Sequence, residues 1–292
     1  MRFEAIERQV GEYRVDWMCG PLRVARSSFY EWRARSKKSE KRTREEANLF
    51  LQVKAAHLAS RGVYGSPRVH KALVAQGIVV GRRRVERLMR EACLVGRTRR
   101  KFVVTTKVNE SVKPAENILA RDFRARGPNE KWATDITYLA TKEGFVYLAA
   151  ITDLFSNRVV GFALADHMRT ELALEALAMA VRDRRPRPGL LHHSDRGCQY
   201  TSRSYQQALR DAGMICSMSR KGECLDNACS ESLFGRLKEE LGHKIWETKR
   251  DAIDSVGEYL SAFYNSMRIQ KRLGFLSPVM YELRHGAVQC AA

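Results

Sequence analysis

Three carboxylates stand at spacings that could do chemistry together. Asp135 lies in Trp132-Ala-Thr-Asp-Ile-Thr-Tyr138, Asp195 in His193-Ser-Asp-Arg-Gly197 and Glu231 in Asp226-Asn-Ala-Cys-Ser-Glu-Ser232. Between the first two lie 59 residues, and between the last two 35. Carboxylate oxygens suit hard divalent ions, and Mg²⁺ needs few of them when substrate phosphates complete its shell. Three acids meeting in space could hold two such ions, one activating an attacking hydroxyl and the other stabilising a leaving oxygen. Taken singly, each acid could instead be a cap, a turn former or an ion-pair partner. Asp153 and Asp226 are rivals, because Asp226 with Asn227 would make a natural N-cap for the helix carrying Glu231.

The elements that must position these acids are readable in outline. Residues 131–139 alternate, with Trp132, Thr134, Ile136 and Tyr138 on one face and Asp135 on the other. Residues 144–152 and 158–165 are two further strands with short links, which predicts an antiparallel meander. Thr170 is placed as the cap of a helix whose Leu174, Leu177, Ala178 and Val181 share a face, and Pro186 and Pro188 stop it. A short strand over 190–194 delivers Asp195. A helix near 201–212, a strand over 214–218 and a helix over 227–241 follow. This order predicts an α/β domain, a mixed sheet covered by helices.

Charge divides the chain. Residues 1–126 carry 30 Lys+Arg against 13 Asp+Glu, a net of +17; residues 127–292 carry 22 against 20, a net of +2. The positive field therefore sits in the N-terminal part, where it can neutralise DNA phosphates. Residues 1–36 read as short helices, with a cap near Ser27-Ser28 before Phe29, Tyr30 and Trp32. Residues 37–46 read as a charged link or the solvated start of a helix over 49–59. Ser66 reads as an N-cap with Pro67 at the first helical position, and Gly77 ends that helix. A second helix over 81–92 puts Val85, Leu88 and Met89 on its apolar face, and Arg83, Arg87 and Arg90 together on another. This is a helix-turn-helix pattern with arginines set for phosphates and guanine edges, or else a solvated basic face. Residues 97–127 read as a basic linker, either following a DNA backbone or serving as a tether.

Seven cysteines show no Cys-x-x-Cys pair, and no histidine pair stands at zinc-finger spacing. An odd count without a signal-peptide core points to reduced thiols in a cytoplasm. No apolar run approaches the length of a membrane span, so no membrane partner is expected.

The three acid motifs, together with His193-Ser-Asp-Arg-Gly-Cys-Gln-Tyr-Thr-Ser202 and Tyr264-Asn265…Leu273-Gly-Phe-Leu-Ser-Pro278, resemble the transposases of bacterial insertion elements related to retroviral integrases. The likeness is to the insertion sequence 3 family, in its second reading-frame product (OrfB), and covers nearly the whole chain. It implies a ribonuclease H-like integrase catalytic core over 128–285, preceded by an all-α helix-turn-helix region over 1–95 and a linker over 96–127. It implies that Asp135, Asp195 and Glu231 are the metal-binding catalytic triad of a DDE polynucleotidyl transferase. The cofactor would be Mg²⁺ or Mn²⁺, two ions with DNA bound. The implied reaction is strand cleavage and strand transfer at element ends; a nuclease without strand transfer and a silent DNA-binding relic are the alternatives. The implied partners are double-stranded DNA, both element ends and target, further copies of the chain, and the first-frame OrfA product, joined through a translational frameshift. Lys238, two helical turns after Glu231, is implied as a DNA contact. Arg196, beside the second acid, is a further DNA candidate. His193 could orient water or phosphate, or pack in the sheet. Gly222 suggests a mobile loop over 219–225. Gln270 and Phe275 depart from the histidine and tyrosine usual in relatives, and the retroviral zinc-binding module is absent.

Overall fold

The computed structural model describes residues 1–97, 115–220, 224–242 and 245–290. Most of the basic run after Arg97, and Gly222 with its immediate neighbours, lie outside the described residues. The chain divides into two units, Met1–Val95 and Gly96–Ala292.

The first unit is helical: α1 (Arg2–Gln9), α2 (Val15–Cys19), α3 (Arg26–Ala59), α4 (Ser66–Ala75) and α5 (Arg82–Glu91). The charged stretch over 37–46 is not a link. It is the middle of α3, which runs unbroken for 34 residues. No Gly or Pro interrupts it, and Lys, Arg and Glu lose little rotamer freedom in a helix. One end of α3 buries Phe29 among Ile6 and Cys19. Its other end, with Leu49 and Val53 buried, packs on α4 and α5, whose Val69, Leu73, Val85, Leu88 and Met89 are buried. The helix starts differ from expectation by one residue. Ser66 is already helical, Gly65 holds the cap position and Pro67 sits in the first turn, where a missing N–H costs no intrahelical bond. Gly77 turns the chain with φ +80°.

The second unit is built on a five-stranded mixed sheet of order β3-β2-β1-β4-β5. The strands are β1 (Lys131–Thr141), β2 (Gly144–Asp153), β3 (Val159–Ala165), β4 (Leu191–Ser194) and β5 (Ile215–Met218). The first three form the antiparallel meander, and β4 pairs in parallel with β1 and β5. One face buries Trp132, Ala149 and Ile151 against α6 (Thr170–Arg184), α7 (Cys198–Thr201) and α8 (Arg203–Asp211). Thr170 is the first helical residue of α6, not its cap; Arg169 holds that position without a side-chain cap bond. Burial of Leu172, Ala173, Ala176, Leu177 and Ala180 sets that helix instead. Gly161 of β3 lets α6 approach, since a Cβ there would lie 2.2 Å from the Ala176 carbonyl oxygen. The helix expected over 201–212 is divided at Ser202, whose extended backbone caps α8 by accepting the Tyr205 N–H.

The other face carries Ala133, Leu154 and Leu191 beneath Leu119 and Phe123. Residues 115–127 are therefore part of this packed unit, although the sequence reads them as linker. α9 (Ala228–Glu240) packs against β1; α10 (Lys249–Glu258), a π-helical stretch (Tyr259–Tyr264) and α11 (Pro278–Cys290) follow. The Tyr264-Asn265 motif finds a use here: the Asn265 amide donates to the Val159 carbonyl and accepts the Val159 N–H, pairing with the outer strand β3. Among the described residues no helix is long and apolar enough to cross a membrane.

Candidate active site

Parallel pairing brings the two aspartates together. Ala133 stands opposite His193 in the β1–β4 register. Two residues beyond that pair along the chain come Asp135 on β1 and Asp195 just past the end of β4, close enough for their charges to act on each other. α9, lying on β1, adds Glu231 one turn from its start. All three side chains are half-buried. Burial pushes the Asp135 carboxyl well above the usual carboxylate range, and the charges of Asp195 and Glu231 push it further. Asp195 is raised as well, chiefly by burial. Desolvated like charges of this kind call for a counter-cation.

Backbone donors orient both aspartates. Asp135 Oδ1 accepts the Ile136 N–H at 2.8 Å, and Asp195 Oδ1 accepts the Gly197 N–H at 2.9 Å. A Cβ at Gly197 would lie 3.0 Å from that same Oδ1 and 2.9 Å from Gln199 Oε1, so a larger residue there would displace the carboxylate. Beneath them Tyr200 is fully buried and shares a 3.3 Å hydrogen bond with the Thr134 hydroxyl. Burial holds its phenol well above its ordinary value, with the Tyr205 phenol and the two aspartates adding to this.

The donor set is all oxygen and fits a hard divalent cation. Among the described residues, no three His, Cys, Asp or Glu side chains converge closely enough to cage an ion by themselves.

Lys238 lies on α9 two turns after Glu231. Burial lowers its pKa, and the Asp135 charge opposes that shift. Its Nζ sits 4.7 Å from the Tyr138 ring centroid. Arg196 Nε donates to the Ser219 carbonyl at 2.7 Å, bracing the end of β5. His193 packs in the sheet with Nδ1 2.9 Å from the Ser217 hydroxyl, and burial pushes its pKa down to about 4. It is buried in the sheet, where its ring is held neutral.

The rival acids have structural work. Asp153 accepts N–H bonds from Asn129, Phe155 and the Trp132 indole, and stands 3.6 Å from Arg184. Asp226 does not cap α9 from the N-cap position, which Asn227 holds. Fully buried, it joins three segments instead: Asn117 (2.9 Å) and Arg121 (2.7 Å) from the packed segment over 115–127, and the backbone and guanidinium of Arg220 after β5. Those arginines hold its carboxyl below the usual range. The far end of α9 is held by Arg97, whose Nη1 donates to the carbonyls of Glu239 and Glu240. Neither Asp226 nor Arg97 announces this role in the sequence, because their partners are remote along the chain.

In the helical unit, Arg83 and Arg90 are exposed on α5. Arg87, expected to share their task, is ion-paired with Glu46 of α3 and Glu91, and Arg84 also binds Glu46.

Comparison with known proteins agrees with this architecture. Residues 125–224 match the integrase core domain family and residues 43–102 the HTH-like domain family. The insertion element IS600 uncharacterized 31 kDa protein of Shigella sonnei is 40% identical over 269 residues, 92% of this chain and 98% of the relative. Transposase InsF for insertion sequence IS3A of Escherichia coli strain K12 is 39% identical over 284 residues, covering 97% and 98%. Among solved structures, the HTLV-2 integrase catalytic core domain in complex with magnesium aligns at 16% identity and a TM-score of 0.42, covering 55% of this chain and 99% of that one. With such identity over nearly the full length of both chains, and an integrase core behind a helix-turn-helix-like region, the protein belongs to the insertion sequence 3 family of DNA transposases.

Proposed function

We propose that Asp135, Asp195 and Glu231 form the metal-binding catalytic triad of this transposase, acting on the ends of an insertion element. The observation that carries this is the register of β1 and β4, which sets two desolvated aspartates side by side under a third acid on α9. Mg²⁺ or Mn²⁺ bound there, two ions once DNA is in place, would activate the attacking hydroxyl and stabilise the leaving oxygen. The three carboxylates hold and orient; Ile136 and Gly197 N–H groups fix the two aspartates; Tyr200 and Thr134 exclude water beneath them. Lys238 takes a phosphate beside the site. Arg83 and Arg90 bind phosphates of the element end, with Arg87 bracing α5 onto Glu46; Arg196 orders the β5 end and reaches the DNA only from there. Joining two ends calls for more than one copy of the chain on DNA, and the first-frame product is the partner that would extend it. The protein would act in the cytoplasm, on the nucleoid.

The test is incubation of labelled element-end duplex with the protein and Mg²⁺, separating nicked from joined products. Joined products that vanish with Asp195→Asn support the proposal. Nicking without joining would assign a nuclease, and binding without either would remove the catalytic role.

A further inference from the structure

The acid site has an aromatic neighbour that the chemistry above does not use. Tyr138 lies three residues beyond Asp135 on β1, on the opposite face of the strand, and Phe145 lies on β2. Tyr138 pairs with Tyr147 across the hairpin, which makes Phe145 its diagonal neighbour. The rings of Tyr138 and Phe145 meet edge to face, with centroids 5.2 Å apart and planes at 73°. Both remain in solvent: Tyr138 is 53% and Phe145 50% exposed. At that position β1 has left its pairing with β4, which ends at Ala133. Lys238 spans this edge, its Nζ above the Tyr138 ring and within reach of the Asp135 charge.

Lys238 thus links an exposed aromatic pair on one face of β1 to the carboxylate on the other, around the strand's free edge. General physics lets such a surface hold a DNA strand: a cation takes the phosphate and an aromatic face takes the base, without regard to its identity. A paired base inside a duplex offers no free face. An unpaired base does. The geometry points to Tyr138 and Phe145 as a stacking platform for an unpaired nucleobase of the strand entering the acid site, with Lys238 on the adjoining phosphate. This inference rests on the DNA-processing role above. It adds that the enzyme holds the DNA end locally unpaired. The pair is not merely a cover for the hairpin, since its rings are left half in water.

The experiment uses the full chain without divalent ions, so that no strand is cut. Two duplexes of equal length serve as probes, one fully paired and one with three unpaired nucleotides at its end, including 2-aminopurine. The wild type is expected to bind the frayed duplex more tightly and to quench the 2-aminopurine. Tyr138→Ala and Phe145→Ala should each weaken frayed-end binding by roughly five- to hundred-fold, the range for loss of one base–aromatic stack. Binding of the paired duplex should stay within two- to three-fold, a margin of about 0.5 kcal/mol. Tyr138→Trp should retain the preference, and Tyr138→Leu, which keeps apolar packing on the hairpin, should lose it. Equal losses on both duplexes, no quenching, or a leucine variant like wild type would overturn the platform while leaving the transposase reading intact. Failure of wild type to bind either duplex would overturn both.

Discussion

Glu240 ends α9, the helix that carries Glu231, and its carboxylate is buried against Arg268. Arg268 Nε donates to both carboxylate oxygens at 2.9 Å, and the Tyr259 hydroxyl donates at 2.8 Å. The side chains of Glu240 and Arg268 are 4% and 2% exposed, so solvent screening does little here. Arg268 itself is raised above the ordinary guanidinium value: burial opposes the charged form, but the bonds to Glu240 outweigh it. Glu240→Gln removes the charge and keeps the shape, leaving a buried guanidinium uncompensated. Breaking one side of such a pair costs about 3–5 kcal/mol. For a unit of this size each kcal/mol moves Tm by roughly 2–4 °C, so a fall on the order of 10 °C is expected by calorimetry. Arg268→Met should cost a similar amount. The double variant Glu240→Gln/Arg268→Met should lose clearly less than the sum, because no orphaned charge remains. DNA cleavage well below Tm should persist in all three. Additive losses, or a single variant within about 1 kcal/mol of wild type, would refute the idea that this pair anchors α9.

Three further outcomes follow from the site. Gly197→Ala puts a Cβ against Asp195 Oδ1 at an ordinary φ of −58°; strand cleavage should fall about 10²-fold with Tm almost unchanged, and an active variant would deny the fixed carboxylate. Asp226→Asn loosens the start of α9: the Mg²⁺ concentration for half-maximal cleavage should rise several-fold, and acid unfolding should change. Asp226, depressed in the folded state, contributes stability above the ordinary carboxylate range that is lost as pH falls through its lowered value. If Asp226→Asn removes that acid sensitivity and leaves the metal requirement unchanged, Asp226 is limited to a stability role. Asp135 and Asp195 have the opposite sign. Raised in the fold, they bind protons more tightly than in the unfolded chain, so metal-free stability falls as pH climbs from the ordinary carboxylate range through their raised values. Metal binding should release protons and strengthen over that same climb, which titration calorimetry in buffers of different ionisation enthalpy would detect or exclude.

The strands and most helices are legible in the sequence because each carries its own period: β1 alternates, and α5 shows Val85, Leu88 and Met89 at helical spacing. What is not legible is whatever depends on partners far along the chain. The meeting of Asp135 and Asp195 rests on parallel pairing of β1 with β4, which no local pattern encodes; only the family resemblance points to it. Arg87 looks like a DNA contact until α3 brings Glu46 against it. Residues 115–127 look like a tether because they lack periodicity, yet Leu119 is buried and Arg121 pairs with Asp226. The charged run over 37–46 misleads differently: solvation is compatible with a link or a helix, and α3 continues through it because nothing breaks it.

The most direct test of the account is the cleavage rate of element-end DNA with Asp135→Asn, Asp195→Asn and Glu231→Gln, singly and together, beside DNA affinity and Tm. If the three acids act as one unit, each single change should lower the rate by about 10³-fold or more, and the triple change should lower it hardly further. DNA affinity should hold, and metal-free Tm should stay level or rise, since each amide relieves repulsion among desolvated carboxylates. Any one of these variants cleaving within about ten-fold of wild type, with a fold as stable, would contradict the triad.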